Sequence, residues 1–205
     1  MALKFAVNNS LSAVTSLPTA IPTGSMTLLQ TQTASSSATI DFTSNIDSTY
    51  DSYMFKFYDI HPATNRAIFQ FQSDTGTNTS YNITATTTYF QSYHKENDGG
   101  AALGYNDSHD DAQSTSFLNL TVHNSNDNDS CASGTLQIFN PSSSIFVKHF
   151  LANFNHMYTE LGGDKYSWEN FKAGYFNTTT ALTRFRFKYD TGNIDSGVIK
   201  LYGIS

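Results

Sequence analysis

The stretch Leu-Thr-Arg-Phe-Arg-Phe-Lys-Tyr at residues 182–189 puts Phe185, Phe187 and Tyr189 in one phase and Arg184, Arg186 and Lys188 in the other. A period of two belongs to a strand with one face in a core and one in water; a helix would scatter these aromatic rings around its circumference. Residues 37–43 repeat the device, with Ala38, Ile40 and Phe42 set against Thr39 and Asp41. Few folds other than an all-β one can use such segments many times over.

Composition agrees. Only 14% of the residues are charged, against about 25% in an average soluble domain. Ser, Thr and Asn fill the polar positions, and 16 Phe and 12 Tyr supply the bulky apolar ones. Thr and aromatic residues suit a pleated, half-buried surface, while Asn and Ser favour turns over helices. Further strands are expected at 25–33, 53–60, 66–73, 81–94, 116–123, 131–140, 144–156 and 197–204. The segment 166–177 is ambiguous, a short helix near 89–94 is an alternative to strand, and 95–115 reads as a long polar loop. The pair 53–60 and 66–73, joined by His-Pro-Ala-Thr-Asn, reads as a hairpin. Residues 144–156 alternate so evenly that both faces are candidates for burial.

About ten strands at short spacing imply antiparallel pairing, because parallel crossovers need more chain. The expected fold is an all-β antiparallel two-sheet sandwich, jelly-roll-like, in one domain over residues 25–205. Residues 1–24 are expected to be an extended N-terminal arm. They hold Pro18, Pro22 and Gly24, one charge, and no sustained period.

Asn-Ile-Asp-Ser occurs at 45–48 and again at 193–196, followed by Phe-Lys-Phe-Tyr-Asp-Ile (55–60) and Ile-Lys-Leu-Tyr-Gly-Ile (199–204). Each copy is a turn followed by a half-buried strand, with Lys56 and Tyr58, or Lys200 and Tyr202, on one face. Nothing between the copies repeats, which argues against a duplicated domain. The two strands are expected in one sheet, as neighbours; the alternative is a coincidence within a low-complexity vocabulary.

A net charge of −6 argues against a nucleic-acid groove or an anionic membrane surface as partner. No apolar run reaches the ~18 residues of a membrane span, and the N-terminus lacks the charge and apolar pattern of a signal peptide. The lone Cys131 has no disulfide partner and reads as a structural thiol. The acidic cluster Asp107, His109, Asp110 and Asp111 reads first as a solvated loop and second as a cation site. Asn-Ser-Asn-Asp-Asn-Asp-Ser (124–130) lacks the Asp, Gly and Glu positions of a calcium loop. No carboxylate pair, nucleophile frame or Gly-rich phosphate loop stands out, so no catalytic residues, metal ligands or cofactors are expected. The one candidate binding feature is Tyr166, Trp168 and Phe171, three aromatic residues able to stack on a sugar.

The opening Met-Ala-Leu-Lys-Phe-Ala-Val-Asn-Asn-Ser, the block from Ser35 to Asn65, Pro-Ser-Ser-Ser-Ile-Phe-Val-Lys-His-Phe (141–150), Ala-Gly-Tyr-Phe-Asn-Thr-Thr (173–179) and the closing Gly-Asn-Ile-Asp-Ser-Gly-Val-Ile-Lys-Leu-Tyr-Gly-Ile resemble small virion structural proteins of tailed phages, especially cyanophages. The resemblance covers the whole chain and transfers no site residues. It implies a non-enzymatic subunit on the particle surface, either capsid decoration or a tail or fibre component. Such a subunit is made in the host cytoplasm, binds other virion proteins, and forms a homo-oligomer, a trimer before a dimer. The alternative function is a carbohydrate-binding receptor-recognition module of a tail fibre, with a host glycan as ligand.

Overall fold

The computed structural model describes residues 26–205; the proposed arm at 1–24 lies outside them. Thirteen strands and no helix are present among the described residues. In chain order they are β1 (Met26–Ser37), β2 (Ile40–Phe42), β3 (Ser52–Pro62), β4 (Phe69–Thr75), β5 (Ala85–Lys95), β6 (Ala101–Tyr105), β7 (Asp111–Ser114), β8 (Leu118–Asn119), β9 (Ala132–Phe139), β10 (Lys148–Thr159), β11 (Lys165–Phe176), β12 (Leu182–Tyr189) and β13 (Ile194–Ile204).

Nine strands form one sheet in the order β1-β13-β3-β9-β10-β11-β5-β6, with β7 also paired to β5. Four form a second sheet, β2-β12-β4-β8. Every pairing is antiparallel. The chain shuttles between the sheets, and together they make the expected two-layer sandwich.

The core is aromatic. Phe187 of β12 lies 5.1 Å from Phe55 and 5.0 Å from Phe57 across the sandwich, and stacks beside Phe69 and Phe71 of its own sheet. The two contacts across the sandwich are edge-to-face and the two within the sheet are stacked, both arrangements that the quadrupoles of aromatic rings allow. Gly134 in β9 sits between Phe57 and Phe154, whose rings meet 4.9 Å apart. A Cβ on Gly134 would fall 2.6 Å from the Phe154 ring, so this close approach requires glycine.

The two repeated turn-strand segments are neighbours. β13 pairs with β3, and Lys200 stands directly opposite Lys56. Like charges so placed repel. Each ammonium instead lies over the diagonal tyrosine of the other copy, Lys56 over Tyr202 at 5.6 Å and Lys200 over Tyr58 at 5.4 Å. The Ile of each Asn-Ile-Asp-Ser, Ile46 and Ile194, is buried and anchors its turn to the core. The repetition therefore encodes one sheet pairing between segments nearly a chain length apart.

Four local expectations are corrected. The segments 53–60 and 66–73 are not a hairpin: β3 and β4 lie in different sheets, and Phe57 meets Phe69 across the core at 5.7 Å. The expected loop 95–115 contains β6 and β7. Residues 89–94 continue β5, with no helix. The segment 144–156 is buried on one face only: Ile145, Phe146 and Leu151 are exposed, while Lys148, Phe150 and Phe154 face inward. The buried Lys148 donates from Nζ to the Thr178 carbonyl at 3.0 Å.

Candidate functional site

The nine-stranded sheet is much wider than the four-stranded sheet packed on it, so its faces have different neighbours. Residues directly opposite in a ladder share a face, and the register therefore sorts the side chains. Across β10, β11 and β5, the pairs Trp168 with His156 and Tyr93, Asn170 with Phe154, and Lys172 with Ala152 and Tyr89 face the sandwich interior. The intervening positions, including Leu151, Phe171 and Phe90, face outward.

This parity separates the three candidate stacking residues. Tyr166 and Trp168 point inward and Phe171 points outward, so the three do not form a single platform. Trp168 stacks on Tyr93 at 4.7 Å and takes the edge of Tyr158 at 5.3 Å. Tyr166 is buried and its hydroxyl donates to Glu160 Oε2 at 2.6 Å. Phe171 stacks flat on Phe90 at 4.7 Å, with 10° between the planes.

The acidic cluster also changes character in three dimensions. The Lys172 side chain, only 1% exposed, donates to Asp111 Oδ2 at 2.9 Å and to the His109 carbonyl at 2.7 Å. Thr87 donates to the same Asp111 oxygen at 3.2 Å. Asn119 bonds His109 Nδ1 at 2.8 Å and accepts from Gln70 Nε2 at 2.7 Å. Asp110 accepts from the Tyr105 hydroxyl. Residues 109–111 thus form a strap clamped onto the sheet, with the Asp111 charge met by Lys172. Burial lowers the pKa of both His109 and Lys172; for His109 the Lys172 ammonium adds to the effect, while for Lys172 the Asp111 carboxylate opposes it. Deeper in, Tyr89 donates to Asn170 Oδ1 at 2.6 Å, and Asn170 donates to His156 Nδ1 at 3.0 Å.

The second acidic loop has a similar counter-charge, Lys165, 3.8 Å from Asp127 and 3.9 Å from Asp129. Among the described residues, no three His, Cys, Asp or Glu side chains are grouped so as to hold a metal ion. Cys131 is half-buried, and burial followed by the nearby Asp59 carboxylate raises its thiol pKa.

A clamp of this kind fails asymmetrically. Asp111→Ala leaves a buried ammonium with one fewer acceptor and is expected to cost about 2 kcal/mol. Lys172→Met removes the charge that needs an acceptor and is expected to cost less. Urea unfolding of both variants checks the order, and a larger loss in Lys172→Met would contradict it.

An exposed apolar surface lies elsewhere, on the outward face and its β6 edge, apart from the loop residues Ile145, Phe146 and Leu161. β6 reads Ala-Ala-Leu-Gly-Tyr, with no charge and all five residues exposed. Leu103 is 75% exposed and Tyr105 59%. By register Tyr105 sits opposite Phe90, itself 44% exposed, and Phe90 opposite Phe171. Edge strands normally carry Lys, Pro or a bulge that discourages further pairing; β6 carries none. Its flanking Gly99-Gly100 and Asn106 are visible in the sequence, and an uncharged pentapeptide between turn residues was the available signal. The surrounding Asp and Asn residues masked it.

This arrangement offers apolar area and unpaired backbone groups, beside an exposed His94–Asp98 contact of 3.1 Å at the β5–β6 turn. Compared with known proteins, the chain matches no family model, no curated protein and no solved structure.

Proposed function

We propose that the chain is a non-enzymatic structural subunit of a phage virion, exposed on the particle and acting by protein–protein assembly. The single observation that carries the assembly reading is the β6 corner: an uncharged edge strand with Leu103, Tyr105 and Phe90 clustered beside it. A neighbouring copy can add its own strand to such an edge, with main-chain hydrogen bonds for affinity and these side chains for apolar burial. The phage assignment is supported by the whole-chain resemblance in sequence and by low charge over a Ser-, Thr- and Asn-rich surface.

Two measurements test the reading. Antibody raised against the recombinant chain should label the surface of purified particles in negative stain; particles without label would overturn the virion assignment. Leu103→Lys should abolish the homo-oligomer in light scattering while changing stability by about 0.5 kcal/mol or less, as exposed positions do. Unchanged association in that variant would remove β6 from the interface.

A further inference from the structure

We propose that the shallow trough on the outward face of the nine-stranded sheet, floored by Phe139, His149, Leu151, Ala173 and Tyr175, is filled by the N-terminal segment, residues 1–25, of the same chain. Two adjoining depressions of about 360 Å³ each share Leu151 and Ala173 on this face. No carboxylate or ammonium lines the first of them. Leu151 is 54% exposed although it lies on a central strand, with β9 and β11 on either side. A large aliphatic group placed there needs a cover.

The segment matches the trough in chemistry. Its 25 residues carry one charged side chain, Lys4, and include Leu11, Val14, Leu17 and Ile21. Position favours it as well. β1 begins at Met26, opposite Ile204, and the register continues from Ile204 to Ser52, Phe139, His149 and Tyr175. His149 falls opposite Phe139 by extension of the Phe150–Ile138 pairing. Met26 therefore stands at the end of the sheet where the trough opens. From β1 to β10 is four strand spacings, ~19 Å, which about six residues can span at ~3.3 Å each.

Tethering also favours the chain's own segment over a neighbour's. Pro22 and Gly24, just before Met26, are residue types that favour a turn. A tether of this length holds the segment near the trough at an effective concentration around millimolar, far above that of a second molecule in dilute solution. The inference does not depend on the assembly reading: neither depression is lined by Leu103 or Tyr105, and only the second reaches the β6 corner, at Phe90.

The test uses the full chain carrying Cys131→Ser, Leu103→Lys to hold it dispersed, and a nitroxide on Thr88→Cys at the rim of the trough. Backbone resonances of residues 1–25 should broaden strongly, and adding Leu151→Asp should restore them. An unlabelled-spin, isotopically enriched copy mixed with a spin-labelled, unenriched copy should show no broadening. Absence of broadening in the first sample overturns the proposal. Broadening in the mixed sample overturns it equally, by assigning the trough to another molecule's segment.

Discussion

Lowering the pH from 7 to 4 is expected to cost the fold about 3 kcal/mol through one side chain, His156. His156 is wholly buried on the inward face of β10, and its Nδ1 accepts from Asn170. Burial, with a smaller contribution from nearby His123, holds its pKa down at about 3, against an ordinary 6.5. The unfolded chain therefore takes a proton below pH 6.5 that the folded chain refuses until about pH 3. The stability from the neutral imidazole is complete above pH 6.5 and is lost progressively as the pH falls toward 3. His109, lowered in the same direction by burial, adds a smaller loss of the same sign. Asp47 also has a lowered pKa, through its hydrogen bonds with Thr49, and its loss begins only near and below the carboxylate range. Between pH 6.5 and 4.5 the slope is thus mainly a histidine effect. Urea midpoints across that window for the wild type and His156→Gln separate the contributions. The variant should be less stable at pH 7 and much flatter with pH; a wild-type slope retained in His156→Gln would refute the assignment. Against a typical total of 5–15 kcal/mol, 3 kcal/mol is a large share of the stability of a domain.

His156 also marks the limit of what the sequence could say. Alternation alone identified the inward residues of β12 and β2, because hydrophobic phase and burial coincide there. The repeated turn-strand pattern predicted the pairing of β3 with β13, because both copies need the same face buried and the same turn anchored. Where phase and burial part, the reading failed. His-Pro-Ala-Thr-Asn serves equally as a hairpin turn or as a crossing between sheets, and only the Phe57–Phe69 contact across the core decides. Lys172 sits in a polar-looking segment, and its partner Asp111 is 61 residues away. No local pattern announces a buried ammonium. Tyr166 and Trp168 differ in parity from Phe171, so their separation onto two faces follows as soon as 166–177 is accepted as a strand. The β6 corner is the instructive case: five uncharged residues are too few to dominate a window full of Asp, Asn and Gly, yet enough to leave a sheet edge without a guard.

Phe187→Ala is expected to be the most damaging single truncation, costing about 4 kcal/mol and lowering the midpoint of thermal unfolding by about 10 °C. The reason is the place of β12. It is a central strand of the smaller sheet, paired with β2 on one side and β4 on the other, so its inward side chains cannot be replaced by movement of an edge. Phe187 is fully buried, with ring contacts to Phe42, Phe55, Phe57, Phe69 and Phe71. Removing the ring strands apolar faces from both sheets at once. The cost is therefore the lost transfer energy plus that of a cavity whose walls belong to two β-ladders and collapse poorly. Phe187→Leu keeps most of the volume and should lose under about 1.5 kcal/mol. Phe146→Ala provides the contrast. Phe146 alternates as promisingly as Phe187 in the sequence but is exposed before β10, so its truncation should change stability by no more than about 0.5 kcal/mol. Urea and thermal unfolding of the three variants measure the ranking. If Phe187→Ala cost less than Phe187→Leu, or no more than Phe146→Ala, the aromatic contact across the two sheets would not be what holds the sandwich together.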